Sequence, residues 1–237
     1  MTLGHLDPLY IAPTRKLRDD KEDLFRLRVC MAGSDRFYSV YDGLRPSIIV
    51  VDEIGLISGK QLEDHLKYAK ENGTRVFLLG DQGQMVSQYC MKDLWKKMSE
   101  YHNVDFKHNR RAKDILTKEF QEKIHRASID YQNGKLDRDA ALIIQRELIH
   151  THLRRANRKD LEGRVIKYYN DEKENCTTID KFQGDTISKG DRTVIWFRAG
   201  GGRLDDMPMI INTMVGRFQS IRDIRYVDTT SYKNESG

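Results

Sequence analysis

Ser47-Ile48-Ile49-Val50-Val51-Asp52-Glu53 and, further on, Arg75-Val76-Phe77-Leu78-Leu79-Gly80-Asp81-Gln82-Gly83-Gln84 decide the fold of this 237-residue chain. Each is a short apolar run that stops abruptly at polar residues, the pattern of a strand buried on both faces. Between them Leu62, Leu66 and Ala69 recur at helical spacing and Asn72-Gly73 supplies a stop, so the spacing predicts strand, helix, strand. Two parallel strands joined this way deliver their C-terminal ends to one sheet edge, where open α/β sheets bind ligands. Asp52 and Glu53 reach that edge on one strand and Gly80 to Gln84 on the other.

The same alternation extends outward. Strands are expected near Leu9–Ala12, Leu148–Thr151, Arg164–Lys167, Thr193–Phe197 and Ile224–Asp228. Leu116, Phe120, Ile124, Ala127 and Tyr131 mark a long helix ending at Asn133-Gly134, and Asp137 is the expected N-cap of another running to about Arg146. A weak strand and a basic cluster between Ser99 and Arg111 mark a lobe boundary, giving expected domains 1–107 and 108–237. Gly200-Gly201-Gly202 reads as a flexible loop and Ser231–Gly237 as a frayed tail. The fold class expected is α/β, two lobes with mainly parallel sheets.

Composition narrows the classes. With 38% apolar and 32% charged residues and a mean hydropathy of -0.68, the chain is a folded, water-compatible protein, not a collagen-like or low-complexity one. No run approaches the length needed to cross a bilayer. The net charge of +5 favours a polyanionic partner only weakly. Cys30, Cys90 and Cys176 have neither zinc-site nor disulfide-framework spacing, which fits a reducing compartment, and the N-terminus shows no signal-peptide pattern. A cytoplasmic location is expected, the host cytoplasm if the source is viral.

Five segments bear chemistry. In a nucleotide-hydrolysing site the first acid of a pair such as Asp52-Glu53 holds Mg²⁺ and the second orients the attacking water; the plain alternative is a strand that ends in acidic loop residues. The amide of Gln84 can bind a phosphate oxygen and a water without neutralising either, although Gly-Asp-x-Gly is also ordinary turn chemistry. Lys107-His108-Asn109-Arg110-Arg111-Ala112-Lys113 reads as a solvated basic surface or as the source of an arginine finger. Thr177 to Thr186, with small hydroxyls, Gln183 and Gly184, suits close approach to a phosphate backbone, and a polar loop has the same composition. Arg217, after Val215-Gly216, is a second finger candidate or a surface arginine.

In order along the chain these segments resemble the superfamily 1 helicases, particularly the compact RNA helicases of alphavirus-like viruses, with a related pattern in relaxase and RecD-like DNA helicases. Ala12-Pro13-Thr14-Arg15-Lys16-Leu17-Arg18 resembles motif Ia, Val50-Val51-Asp52-Glu53 Walker B, and Gly80-Asp81-Gln82-Gly83-Gln84 motif III. Asn109-Arg110-Arg111 is similar to motif IV, Thr178 to Gly184 to motif V, and Gly216-Arg217 to motif VI. The resemblance implies two RecA-like lobes, with ATP and Mg²⁺ as cofactors and single-stranded RNA or DNA as partner, within a replicase or replication complex. It implies that Asp52 holds the metal, Glu53 activates water, Gln84 senses the γ-phosphate, and Arg111 and Arg217 reach it from the second lobe. Pro13, Thr14 and Arg15 would touch the nucleic-acid backbone, as would Thr178, Gln183 and Gly184. The short interval between Arg111 and Gln183 leaves little room for an inserted subdomain and favours the viral type.

The chain departs from the pattern in three places. Ile54 follows the acids where a small residue is usual, Gly216 stands where a hydroxyl residue is usual, and no G-x-x-x-x-G-K-[ST] phosphate loop is present. Gly55 to Gln61 is a decoy, with the wrong glycine spacing and the wrong place in the order. The first lobe is therefore expected to be incomplete, with unpaired backbone edges beside Ile48–Val51. Two expectations follow: a fragment of a longer helicase or replicase, the favoured one, or a non-catalytic pseudo-helicase that scaffolds nucleic acid.

Overall fold

The computed structural model describes residues 8–25, 28–31, 46–106, 109–156, 163–167, 176–178, 186–197 and 204–228. They form two compact units, one made of Met1–Gln82 and Val86–Val104, the other of Gly83–Met85 and Asp105–Gly237. The segment expected to lie wholly in the first lobe, Gly80 to Gln84, is thus divided, and Gly83, Gln84 and Met85 pack with the second unit.

The first unit runs β1 (Leu9–Ala12), α1 (Arg15–Phe25), β2 (Arg28–Met31), β3 (Ile48–Val51), α2 (Gly59–Asn72), β4 (Arg75–Leu78) and α3 (Leu94–Met98). Its strands are all parallel in the order β2-β1-β3-β4. Strand β3 is interior, paired on one side with β1 and on the other with β4, so the expected unpaired edges beside Ile48–Val51 are not found; among the described residues the outer strands are β2 and β4. β4 carries the sign of an edge, because Phe77 is 53% exposed whereas Ile49 and Val51 on β3 are fully buried. Helix α2 starts at the Ser58 N-cap with a capping box to Gln61, which gives the Gly55 to Gln61 decoy its structural role, and ends at Gly73 in the left-handed region. Leu62 and Ala69 face a core shared with Leu9, Ile11, Ile54 and Ile57.

The second unit runs α4 (Ile115–Gln132), α5 (Arg138–His152), β5 (Arg154–Arg155), β6 (Arg164–Lys167), β7 (Cys176–Thr178), β8 (Thr193–Phe197), α6 (Met207–Val215) and β9 (Ile224–Asp228). Its sheet is also all parallel, in the order β5-β9-β8-β6-β7. Phe120, Ile124, Ile149, Ile166, Ile195, Ile211 and Phe218 meet in its core. The Asp137 cap is present, its carboxylate accepting from Ala140 N at 2.7 Å. The expected strand Leu148–Thr151 is instead the last turn of α5: Ala141, Gln145 and Ile149 continue one buried stripe at helical spacing, and Leu153 closes it. The weak strand expected after Ser99 is absent among the described residues. Helix α6 gave no amphipathic signal because all nine of its residues are buried. The Gly200 to Gly202 loop and the Ser231–Gly237 tail lie outside the described residues. No helix among the described residues is long and apolar enough to cross a membrane.

Candidate nucleotide and nucleic-acid site

Main-chain pairing places the acids. Asp52 N donates to Ile11 O at 3.0 Å, so the ladder between β3 and β1 continues one residue past the strand and holds Asp52 at the C-terminal sheet edge. Both oxygens of its carboxylate are engaged: Oδ1 accepts from Glu53 N at 2.9 Å and Oδ2 accepts from the Tyr10 hydroxyl. Tyr10 lies on β1 opposite Val50, is nearly buried, and has Lys21 Nζ 5.7 Å from its ring centroid. Burial, then the hydrogen bond and charge of Asp52, then the charge of Glu53, hold the Tyr10 hydroxyl well above the ordinary tyrosine range.

Glu53 adopts φ 47°, ψ 53°, a left-handed conformation that residues other than glycine, asparagine and aspartate visit rarely. Ile54 N donates to Leu79 O at 2.9 Å, which fixes the exit from this turn. Gly80 is required there for space and not for its backbone angles: a Cβ would lie 2.8 Å from Ile54 Cγ1 and 3.0 Å from Trp95 Cη2. Among the described residues no three His, Cys, Asp or Glu side chains gather as a metal site. Asp52 and Glu53 are adjacent hard oxygen donors, the chemistry that suits Mg²⁺ held by one or two carboxylates together with substrate phosphates and water.

Pro13 and Thr14 follow β1 at the same C-terminal edge, half-buried, and Arg15 is exposed. Thr14 Oγ1 accepts from Leu17 N at 3.2 Å, so its hydroxyl caps α1. Thr178 ends β7, its backbone in register with Lys167. Gln183 and Gly184 lie outside the described residues.

The second unit brings Gln84 and Arg217 together. Arg217 follows Gly216, the C-cap of α6, is 4% exposed, and its guanidinium donates to Gln84 Oε1 at 3.1 Å. The surface-arginine reading of Arg217 does not hold. Arg111 is half-buried and its guanidinium donates to Gly216 O at 2.7 Å, so it braces the turn that carries Arg217, while its neighbours Arg110 and Lys113 are exposed as a solvated basic surface would be.

Two residues central to this turn, Gln121 and Thr117, have no signal in sequence spacing. The buried Gln121 of α4 donates to Val215 O at 2.7 Å and Phe218 O at 2.9 Å, and its carbonyl accepts from Asn109 Nδ2 at 2.6 Å. Asn109 in turn accepts from Arg111 N at 3.0 Å. Thr117 N donates to Asp114 Oδ1 at 2.8 Å, and Thr117 Oγ1 accepts from Ile221 N at 2.9 Å, tying down the far end of the turn. Burial alone would raise the Asp114 carboxyl, but hydrogen bonds from Thr117 and Ser220 and the charge of Arg222 hold it below its ordinary value.

A family model described as an AAA domain matches residues 31–153, just over half of the sequence. The chain belongs to the AAA domain family. This AAA-domain chain also shares its fold with solved helicases. It is similar to arterivirus nonstructural protein 10, a helicase solved in complex with DNA, at 13% identity and a TM-score of 0.56, covering 95% of this chain and 55% of that one. It is likewise similar to Pif1 from a Bacteroides species, solved with ADP-AlF4, at 12% identity and a TM-score of 0.52, covering 95% of this chain and 83% of that one. The expected α/β architecture of RecA-like helicase domains with mainly parallel sheets is the one observed. The chain spans about half the length of the arterivirus helicase chains it matches. A comparison with curated protein sequences finds no match.

Proposed function

We propose that this chain is a module of a superfamily 1 helicase that binds single-stranded nucleic acid and contributes residues to nucleoside-triphosphate hydrolysis. The observation that carries the reading is the Gln84–Arg217 pair, an uncharged amide and a buried guanidinium joined at 3.1 Å. Such a pair suits a terminal phosphate: the guanidinium offsets charge that spreads onto the transferring oxygens, and the amide bonds one of them without neutralising it. The arterivirus and Pif1 likenesses support the fold on which this reading rests.

In this reading Asp52 holds Mg²⁺ together with the phosphates and waters of the nucleotide, and the metal supplies charge neutralisation when bound. Glu53, turned out of the strand by its left-handed backbone, orients water. Gln84 and Arg217 report the terminal phosphate, and Arg111 acts on it indirectly, by fixing the turn. Pro13, Thr14 and Arg15 contribute to the strand-binding surface, Thr14 through the start of α1, and Thr178, Gln183 and Gly184 complete it. The compact interval between Arg111 and Gln183 favours RNA as the strand.

The experiment is titration of fluorescently labelled single-stranded RNA and DNA with the chain at two salt concentrations, alongside phosphate release from ATP. Binding that weakens with salt, tighter for RNA, with little ATP turnover by this chain alone, is the expected result. Failure to bind either strand overturns the reading. Vigorous strand-stimulated turnover would show that the residues of this chain suffice for hydrolysis without a glycine-rich lysine loop.

A second reading is a strand-binding scaffold without hydrolysis. Glu53→Gln separates the two in a chain that also carries a phosphate loop: the substitution abolishes unwinding by an enzyme and leaves a scaffold unchanged.

A further inference from the structure

Helix α6 is buried along its whole length, yet it contains Asn212 and Thr213 among Met, Ile and Val. A polar side chain in such a place is costly unless it is hydrogen-bonded, so the partners of these two reveal what they are for. Asn212 Nδ2 donates to Gly83 O at 2.8 Å, and Thr213 Oγ1 accepts from Met85 N at 2.9 Å. The helix therefore grips the main chain immediately before and immediately after Gln84. The Thr213 hydroxyl proton goes to Met209 O at 2.8 Å, which orients its lone pair toward Met85. His125 Nδ1 lies 3.2 Å from Asn212 Nδ2, and a Cβ on Gly83 would stand 2.5 Å from the same nitrogen, so only glycine lets the segment seat this closely.

We propose that Asn212 and Thr213 are positioning residues for phosphate recognition: through Gly83 and Met85 they set where the Gln84 amide stands, so that one helix presents both Gln84 and the Arg217 that follows it. The proposal rests on the reading that Gln84 and Arg217 face a terminal phosphate, and the resemblance to helicases assigns neither residue a role. An amide whose flanking peptides are already pinned loses little freedom when it takes up a phosphate oxygen.

The test uses the full chain with Thr213→Val, which keeps the shape of the side chain and removes the acceptor, Thr213→Ser, which restores it, and Gln84→Ala. Two measurements are made on each: amide hydrogen exchange of the peptide covering Met85, and the binding of a fluorescent non-hydrolysable ATP analogue relative to the matching ADP. Thr213→Val is expected to speed Met85 exchange about tenfold and to lower the triphosphate preference to that of Gln84→Ala, about tenfold, with diphosphate affinity unchanged. Thr213→Ser is expected to behave as the parent. Unaltered exchange in Thr213→Val overturns the proposal, and so does faster exchange with a triphosphate preference still intact while Gln84→Ala loses it. A parent chain that does not distinguish the nucleotides overturns the reading of Gln84 and Arg217, and exchange then decides the grip by itself. Should Thr213→Val fail to fold, Asn212→Ala, which releases the Gly83 carbonyl and the contact with His125 Nδ1, takes its place with the triphosphate preference as its readout: a loss matching Gln84→Ala is expected, and an intact preference while Gln84→Ala loses it overturns the proposal.

Discussion

The turn after β3 and the turn after α6 present charged side chains by opposite means. Asp52 and Glu53 are neighbours in sequence, and their turn is held by main-chain bonds that extend the sheet ladder: Asp52 N to Ile11 O, Leu79 N to Val51 O and Ile54 N to Leu79 O. Arg217 sits in a turn whose carbonyls are held by side chains from 94 to 105 positions earlier in the chain, those of Gln121 and Arg111. Main-chain support is spread over many equivalent bonds and is insensitive to any one side chain. Side-chain support is concentrated in a few amides and guanidinium groups, and each of those is a point of failure.

The sharpest break of this contrast is Gln121→Leu. The substitution keeps a similar size and removes the bonds to the Val215 and Phe218 carbonyls and to the half-buried Asn109 amide, at about 1–3 kcal/mol where a buried group loses its hydrogen bond. A loss of about 4 kcal/mol in the stability of the second unit is expected in urea titration. A loss under about 1 kcal/mol would mean that the turn is held by its main chain after all.

The first unit has its own weak point, placed in α2 and away from the acids. His65 is buried, which pushes its imidazole down to about 4, with Asp64 opposing. An unfolded histidine titrates near pH 6.5, so below that the unfolded chain binds a proton that the folded one refuses. Stability is full above about pH 6.5 and falls toward pH 4, by about 3 kcal/mol at the end of that window. Urea titrations from pH 7 to 4 should show this slope, and His65→Leu should flatten it.

Next in size is Gly83→Ala. Its Cβ would meet the His125 ring at 2.5 Å, and overpacking of this kind costs about 2 kcal/mol. Because the obstacle is one side chain, His125→Ala in the same chain should recover most of the loss, measured as non-additivity in a double-mutant cycle. Gly80→Ala in the first unit meets Ile54 Cγ1 at 2.8 Å and Trp95 at 3.0 Å, and relieving either neighbour alone should recover less.

Much of the first unit could be read from the sequence because its determinants are local. Ile48–Val51 and Arg75–Leu78 are apolar runs with clear ends, and Asp52 and Glu53 follow from the strand that carries them. Strand β2 carries a single β-branched residue, Val29, beside Arg28, Cys30 and Met31, and β5 has only two residues, so neither stands out as a strand-like run. Leu148–Thr151 misled because a β-branched cluster inside a helix looks like a strand until the stripe of Ala141, Gln145 and Ile149 is seen in three dimensions. In the second unit Arg217 could be found from its motif, but Gln121, Asn212 and Thr213 could not. An amide that pairs with a carbonyl some 90 or more positions away leaves no periodicity, since its spacing is set by tertiary packing alone. The division of the Gly80 to Gln84 segment was hidden for the same reason: Asn212 and Thr213 recruit its last residues.

The smallest effect is expected from Tyr10, a long-range side chain in the acid turn. Tyr10→Phe removes the hydroxyl that donates to Asp52 Oδ2 and leaves the Glu53 N–H on Oδ1, together with the backbone bonds that hold the turn. A loss of about 1 kcal/mol at neutral pH is expected, because water can replace the lost donor at this half-buried carboxylate. The alkaline limb carries the sharper signature. The folded protein holds the Tyr10 proton more tightly than the unfolded chain, whose tyrosine ionises near pH 10. The contribution is therefore complete below about pH 10 and declines above it, since the unfolded state gains stability by releasing a proton that the folded state keeps. Stability measured from pH 8 to 11 should fall less steeply in Tyr10→Phe than in the parent. Equal slopes would mean that the folded chain does not hold the Tyr10 proton more tightly than the unfolded one, and the hydroxyl would then contribute nothing to the acid turn.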